Sequence, residues 1–259
     1  MQAGVASSAA DVDISAYIKA VETADGQSLE NGVKIAIGNF IRGCKTDGIW
    51  SAIVSCCVFA GARTLNGALI PLKGPNLTNN QFTSAHYLDR KNGLLGGGLR
   101  YLDSNVSNLM KVGNIWEVHA AAFTTGATSA GYILGSNTTA DGSIALRPYN
   151  GASSLFRVHN SSGTTTTINP IAGFVGASRV DGSFMNIAYN TAGGLSVSSL
   201  ASTVQSPIAP YSNIYIFDRQ NVGLQYGGKI SFYSLGYSLN LNLLAARVQT
   251  LMTAYSNLL

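Results

Sequence analysis

Charge is what this 259-residue sequence has least of: Asp, Glu, Lys and Arg make up 11% of it, against roughly a quarter of an ordinary soluble domain. The net charge of +4 is spread thinly, and no short block gathers one sign. Arg90 and Lys91, with Arg100 nearby, form the densest basic cluster. It reads as a solvated loop, not as the clustered basic face that nucleic acid requires. Cysteine is nearly absent. Cys44, Cys56 and Cys57 are odd in number and confined to one segment, which argues against a disulfide framework and for buried, reduced thiols in a chain made in a reducing cytoplasm. Long apolar runs are missing as well. No stretch reaches the length of a membrane span, and Met1 to Asp13 has neither a basic n-region nor a long apolar one, so neither membrane insertion nor secretion is expected.

Groups that titrate or coordinate are equally scarce. From residue 104 onward the acids are Glu117, Asp141, Asp181 and Asp218. Asp141 and Asp181 directly precede glycine, where the side chain caps a turn, leaving Glu117 and Asp218 as the pair for two-carboxylate glycoside hydrolysis. His86, His119 and His159 lie far apart and outside any HExxH or CxxC spacing, so no metal is expected. His119, in WEVHAAAF, reads as a sheet-face histidine. Asp103-Ser104-Asn105 lacks the spacing of a calcium loop. Leu94 to Gly98 (LLGGG) holds no phosphate-cradling motif and reads as a turn or close strand packing, and no GxSxG elbow occurs. These absences predict a chain with no cofactor and no catalytic residues, that is, not an enzyme.

What is there is small, neutral and hydroxylated. Gly, Ser, Asn and Thr supply 96 residues, and 46% of the chain is hydrophobic, enough to fold around a sizeable core. After an arm over residues 1–12, uncharged up to Ala10, helical spacing begins. Ile14, Tyr17, Ile18 and Val21 line one helix face that Asp25-Gly26 ends. Ser28 offers an N-cap for a second helix carrying Val33, Ile37, Phe40, Ile41 and Cys44. Asp47 can cap a third short segment with Trp50, Ile53, Val54 and Cys57 at helical spacing, although its β-branched C-terminal end is ambiguous with a strand. Residues 13–58 thus read as a helical layer.

Beyond residue 58 the period changes. Short apolar runs alternate with the turn dipeptides Asn66-Gly67, Asn92-Gly93, Asp141-Gly142, Asn150-Gly151 and Asp181-Gly182. Between them the strand candidates are 68–72, 115–124, 143–149, 154–159, 171–178, 184–189, 195–200, 213–217 and 229–235. In the last of these Ile230, Phe232 and Ser234 alternate with Ser231, Tyr233 and Leu235, which suits a strand covered on both faces. Many short strands without intervening helices predict an antiparallel sandwich over 59–259, closed by a C-terminal helix with Leu244, Val248, Leu251, Met252 and Tyr255 on one face. Twelve tyrosines against two tryptophans suit a surface that meets neutral glycans or other proteins. Arg147, Tyr149 and Asn150, at a strand end entering a turn, form the candidate recognition rim.

Four stretches carry a resemblance. ISAYIKAVETADGQSLENGVKIAIGNFIRGCKTDGIWSAI, AGARTLNGALIPLKG and GLLGGGLRYLDSN resemble tailed-bacteriophage virion proteins and tail-fibre modules. The ending YGGKISFYSLGYSLNLNLLAARVQTLM looks like the last strand and closing helix of a concanavalin A-like, laminin-G-like jelly roll. The resemblance implies a mainly β jelly roll exposed on the virion as a fibre, adhesin or capsid-decoration subunit. It also implies other virion proteins as partners, with attachment through the N-terminal segment around Ile14, Tyr17 and Ile18, and a homo-oligomer, taken as a trimer. The alternative is a carbohydrate-binding module that recognises a host surface glycan.

Overall fold

The computed structural model describes residues 11–110, 117–126, 130–136, 143–148, 153–160, 164–166, 171–204, 211–219 and 223–259. Helix α1 (Val12–Asp25) begins where the Asp11 carboxylate accepts the Asp13 N–H and stops at Gly26, whose φ of +67° supplies the left-handed terminus. Helix α2 (Asn31–Thr46) buries the face read from its spacing: Val33, Ile37, Phe40, Ile41 and Cys44. It starts later than Ser28 suggested, with Glu30 at the cap position. Leu29 is buried and its N–H is tied to Glu22, so residues 28–30 form a connector, and the Ser28 carbonyl accepts from Arg63 Nε.

Asp47 does not open a third helix. It ends α2, and its carboxylate takes Arg247 in a two-pronged ion pair at 2.7 and 2.8 Å. A 3₁₀ turn (Trp50–Ala52) then leads into strand β1 (Ile53–Val58), which lies within the segment read as helical. The helical spacing there misleads because the strand is buried on nearly every residue, and a continuous apolar run carries no period of its own. The opposite exchange occurs at 68–72: α3 (Leu65–Ala68) is one helical turn capped by Thr64, and Asn66-Gly67 lies inside it.

The remaining strands are β2 (Thr78–Asn80), β3 (Leu94–Leu95), β4 (Tyr101–Ser107), β5 (Val118–Thr125), β6 (Leu134–Ser136), β7 (Ser143–Arg147), β8 (Ser154–Asn160), β9 (Thr164–Thr166), β10 (Gly173–Arg179), β11 (Phe184–Thr191), β12 (Gly194–Ala201), β13 (Asn213–Ile216) and β14 (Lys229–Tyr237), followed by α4 (Leu241–Leu258). They form two antiparallel sheets, a jelly-roll-type sandwich. One runs β1-β14-β5-β10-β11-β12, with β3 on the end of β14, and the other β2-β4-β13-β6-β7-β8-β9. Strand β14 is covered on both faces, as its alternation implied. Phe232 meets Phe40 of α2 edge-on at 5.7 Å, while Tyr233 meets Phe59, which contacts Phe217 of the other sheet at 6.2 Å. Helices, first sheet and second sheet are therefore successive layers, and α4 packs on β10 and β11. No helix among the described residues is long and apolar enough to cross a membrane.

The start of α2 is tied to the loop before β3 by charge. Glu30 accepts from both Arg90 terminal nitrogens at 2.9 and 3.0 Å and pairs with Arg63 at 3.1 Å. The Arg90 hydrogen bonds hold its carboxyl down to about 2 against an ordinary value of 4.5. A lowered acid pKa adds stability above the unfolded value and loses it as pH falls from about 4.5 towards 2. A third of the side chain is exposed, so solvent screens the pair. Glu30→Gln is expected to cost about 1 kcal/mol at neutral pH, and stability measured by denaturant titration from pH 5 to 2 should fall less steeply in the variant. Parallel curves would refute this linkage.

Candidate functional site

The outer face of the second sheet follows from strand register, because residues directly opposite in an antiparallel pair point the same way. Asn80 lies opposite Tyr101, and Tyr215 lies opposite Asp103 and Gly135. These residues therefore share the solvent side, while Leu102, Ile214 and Ile216 are buried. Tyr101 and Tyr215 stack with ring centroids 4.4 Å apart and planes 8° from parallel. Both are half-buried. Burial, then the neighbouring Tyr101 and Asp103, push the Tyr215 hydroxyl up to about 12, so it is a neutral donor at physiological pH.

An open cleft of about 490 Å³ lies against this pair, lined further by Asn80, Gln81, Leu99, Asp218, Gly223 and Gln225. Phe217 shapes it. Its φ of +70° is a conformation that a bulky side chain rarely adopts, and it turns the chain out of β13 to bring Asp218 to the cleft. Gln81, also lining the cleft, has a φ of +69°. Hydrogen bonds from Phe217 N to Ile133 O and from Tyr226 N to Phe217 O hold the turn. Asp218 is buried, accepts from the Arg219 N–H at 2.7 Å and lies 3.5 Å from Gln225 Nε2. Burial raises its pKa despite those contacts. Strained backbone concentrated at a cleft is a pointer to function. The lining offers aromatic faces, amides and one carboxyl, and no cation among the described residues.

The candidates read from the sequence fall elsewhere. Arg147 lies on the same sheet face, but its guanidinium stacks on Tyr132 at 5.5 Å, and Arg219 occupies the ring at 5.3 Å and covers Gly135. Those side chains stand between Arg147 and the cleft. Tyr149 and Asn150 lie outside the described residues, as do the Asp141-Gly142 and Asn150-Gly151 turns. Tyr17 is buried in the core, with Ile14 half-buried against it and Ile18 half-buried, so the first two serve the chain's own fold. Glu117 precedes a strand of the first sheet, with its carbonyl accepting from Ser238, whereas Asp218 follows a strand of the second.

His86 caps a 3₁₀ turn through Thr83. His119 is sealed between Tyr237 O and Ser234 Oγ at 2.6 and 2.8 Å, and burial pulls its pKa down to about 4. His159 is buried, with φ +50°. Among the described residues no group of histidine, cysteine or acidic side chains could hold a metal. Asp103 is bound to Asn105 and Asn213 within its own sheet. Cys44, Cys56 and Cys57 are free and buried. Gly96 packs against Phe217 and the Tyr226 carbonyl, the close contact expected of the LLGGG segment.

Asn80, Gln81, Tyr101, Tyr215 and Gln225 are not among the candidates that the sequence offers. A signal existed in the alternation of Tyr101, Asp103 and Asn105 with Leu102, Ser104 and Val106, and of Asn213 and Tyr215 with Ile214 and Ile216. Nothing local announces that the two strands are neighbours.

No family model matches the chain, and no curated protein matches it. Solved structures of similar architecture do. One is the carbohydrate-binding module CBM40 of the Ruminococcus gnavus IT-sialidase, bound to α2,3-sialyllactose: 19% identity over 50% of this chain and 80% of that one, TM-score 0.36. A mutant Trypanosoma rangeli sialidase displaying trans-sialidase activity is similar at 11% identity over 83% of this chain and 38% of that one, TM-score 0.47. The enzymatically active domain of bacteriophage CBA120 tailspike protein 2 is similar at 8% identity over 66% of this chain and 29% of that one, TM-score 0.35. The chain thus spans well under half of the sialidase and tailspike chains. The expectation that it is not an enzyme is withdrawn, because sialidases are among the chains it is similar to. The comparisons show no family for this chain.

Proposed function

We propose that the protein recognises a neutral carbohydrate through the cleft beside Tyr101 and Tyr215, as a fibre, adhesin or decoration subunit of a bacteriophage particle. The observation that carries the binding reading is the stacked tyrosine pair in an open cleft edged by Asn80, Gln81, Gln225 and Asp218. Sugar rings present C–H faces that pack on aromatic rings and a periphery of hydroxyls that amides and carboxylates bind in both senses. Among the described residues the lining holds no cation to pair with an acidic sugar's carboxylate, which disfavours acidic sugars. The virion reading is supported by the resemblance of the four sequence stretches and by a neutral, hydroxyl-rich composition.

A glycan array probed with the full chain tests binding, followed by calorimetry on the best neutral oligosaccharide. Tyr215→Ala should weaken its affinity at least about tenfold, the loss expected for one buried ring face, with a single cooperative unfolding transition retained. An array silent for neutral glycans, or an affinity unchanged in Tyr215→Ala, would overturn the reading. Cryo-electron microscopy of particles from the phage encoding the chain tests the rest: density at capsid or tail supports it, and absence from the particle sinks it.

A further inference from the structure

Strand β12 is a long edge without a guard. It closes one end of the first sheet, and among the described residues no strand pairs with its outer side. The other edge of that sheet is occupied by Leu72 and Lys73, bonded to Cys56 of β1. The edge strands of the second sheet, β2 and β9, have three residues each. Natural sheets protect long edges with charge, proline or a bulge. Here Gly194–Ala201 (GLSVSSLA) has none of these, and no charged residue occurs anywhere between Asp181 and Asp218. Leu195 and Val197 on this strand, with Phe184 and Val180 beside them, are 38–46% exposed. Val197 and Val180 border an open groove of about 470 Å³ that reaches Leu239 and Leu241.

The backbone phase of this edge is defined. Asn190 O bonds to Ile171 on the β10 side and Ser183 O to Ser202 on the β12 side, so the odd-numbered residues of β11 face β12. Their partners are the even-numbered residues of β12. Leu195, Val197, Ser199 and Ala201 consequently aim their N–H and C=O groups outward, as alternate strand residues must.

We infer that this edge pairs with a second copy of itself, antiparallel about a two-fold axis through Val197. That register sets Val197 against the partner's Val197 and Leu195 against the partner's Ser199, on the face that carries the exposed apolar side chains. On the other face Ser196 meets the partner's Ser198. Apolar meets apolar at the axis, hydroxyl meets hydroxyl on the other face, Leu195 meets a hydroxyl, and no like charges are opposed. With no charge between Asp181 and Asp218, the edge carries nothing that repels a second copy of itself. An isologous contact closes at two copies, whereas the resemblance implied a trimer.

Sedimentation velocity of the full chain should show a dimer. Val197→Lys puts two like charges at the axis and should raise the dimer dissociation constant at least about tenfold. Val197→Cys provides a second readout that does not depend on weakening. Opposed residues in a hydrogen-bonded antiparallel pair have Cα atoms about 5.5 Å apart, within disulfide reach, and the three native cysteines are buried. Mild oxidation should therefore cross-link Val197→Cys and leave Leu195→Cys uncross-linked. A monomer at all concentrations would reserve the edge for another protein's strand and overturn the inference. So would a trimer, or a dimer that ignores Val197→Lys and gives no Val197→Cys cross-link.

Discussion

Replacing Arg179 by alanine is expected to lower the unfolding free energy by about 3–5 kcal/mol, from the cavity it leaves and the buried acceptors that lose their donor. Arg179 is fully buried at the end of β10. Its Nε donates to Val158 O in the opposite sheet at 2.8 Å, and its terminal nitrogens donate to Ser202 O at 2.6 Å and Ser202 Oγ at 3.0 Å, just past β12. One side chain thereby ties the two sheets and the β11–β12 hairpin together. Burial pulls the guanidinium down to about 10, so it is still charged at neutral pH and depends on those carbonyls. Arg179→Met restores the volume but leaves the Val158 and Ser202 carbonyls without their donor, and should still cost about 2–3 kcal/mol. Urea denaturation of the three proteins is the measurement. A loss below about 1 kcal/mol in Arg179→Ala would show that the tie contributes little.

The second large effect is expected at Asp25. The residue is 8% exposed, and its carboxylate accepts the N–H groups of Arg63 and Thr64 and the Thr64 hydroxyl, all at 2.7–2.8 Å. It fastens the end of α1 to the chain entering α3, and Gly67 is there because a Cβ would overlap the Asp25 carboxylate. Asp25→Ala leaves two backbone donors without this partner in a closely packed place, at a cost of about 2–4 kcal/mol. Asp25→Asn preserves the shape but turns an N–H₂ group towards donors if it bonds both oxygens' partners, and should cost about half as much. Thermal and urea unfolding should rank wild type, Asp25→Asn and Asp25→Ala in that order. Equal stability of Asp25→Ala and wild type would refute the fastening role.

The elements that were legible are those with a strong period. α1, α2 and α4 follow the spacing of Tyr17 and Val21, of Val33 to Cys44, and of Leu244 to Tyr255, and the burial agrees. Strands bounded by turn dipeptides, such as β10 and β11 on either side of Asp181-Gly182, were equally visible. Strand β1 was hidden because both its faces are covered, and β2, β3 and β6 are too short for any alternation to register. The segment around Leu65–Ala68 was misread because a turn dipeptide and a single helical turn draw on the same residues. The candidate site was the least legible part. Tyr101 and Tyr215 stand more than a hundred residues apart, and the sheet that stacks them is assembled from pairings with no local signature.

By itself the sequence determined a neutral, hydroxyl-rich surface, a sandwich with helices at both ends, and buried thiols without a disulfide framework. Composition and periodicity act locally, and burial follows them. The tertiary structure alone decided that Asp47 holds Arg247 two hundred residues away, that Arg179 ties the sheets, and that two tyrosines share a cleft. It also decided that, among the described residues, β12 and not β1 is the unpaired edge. Each of these depends on which strands become neighbours, and that choice is made by the packing of the whole core, in which a residue's partners are set by topology and not by its place in the chain.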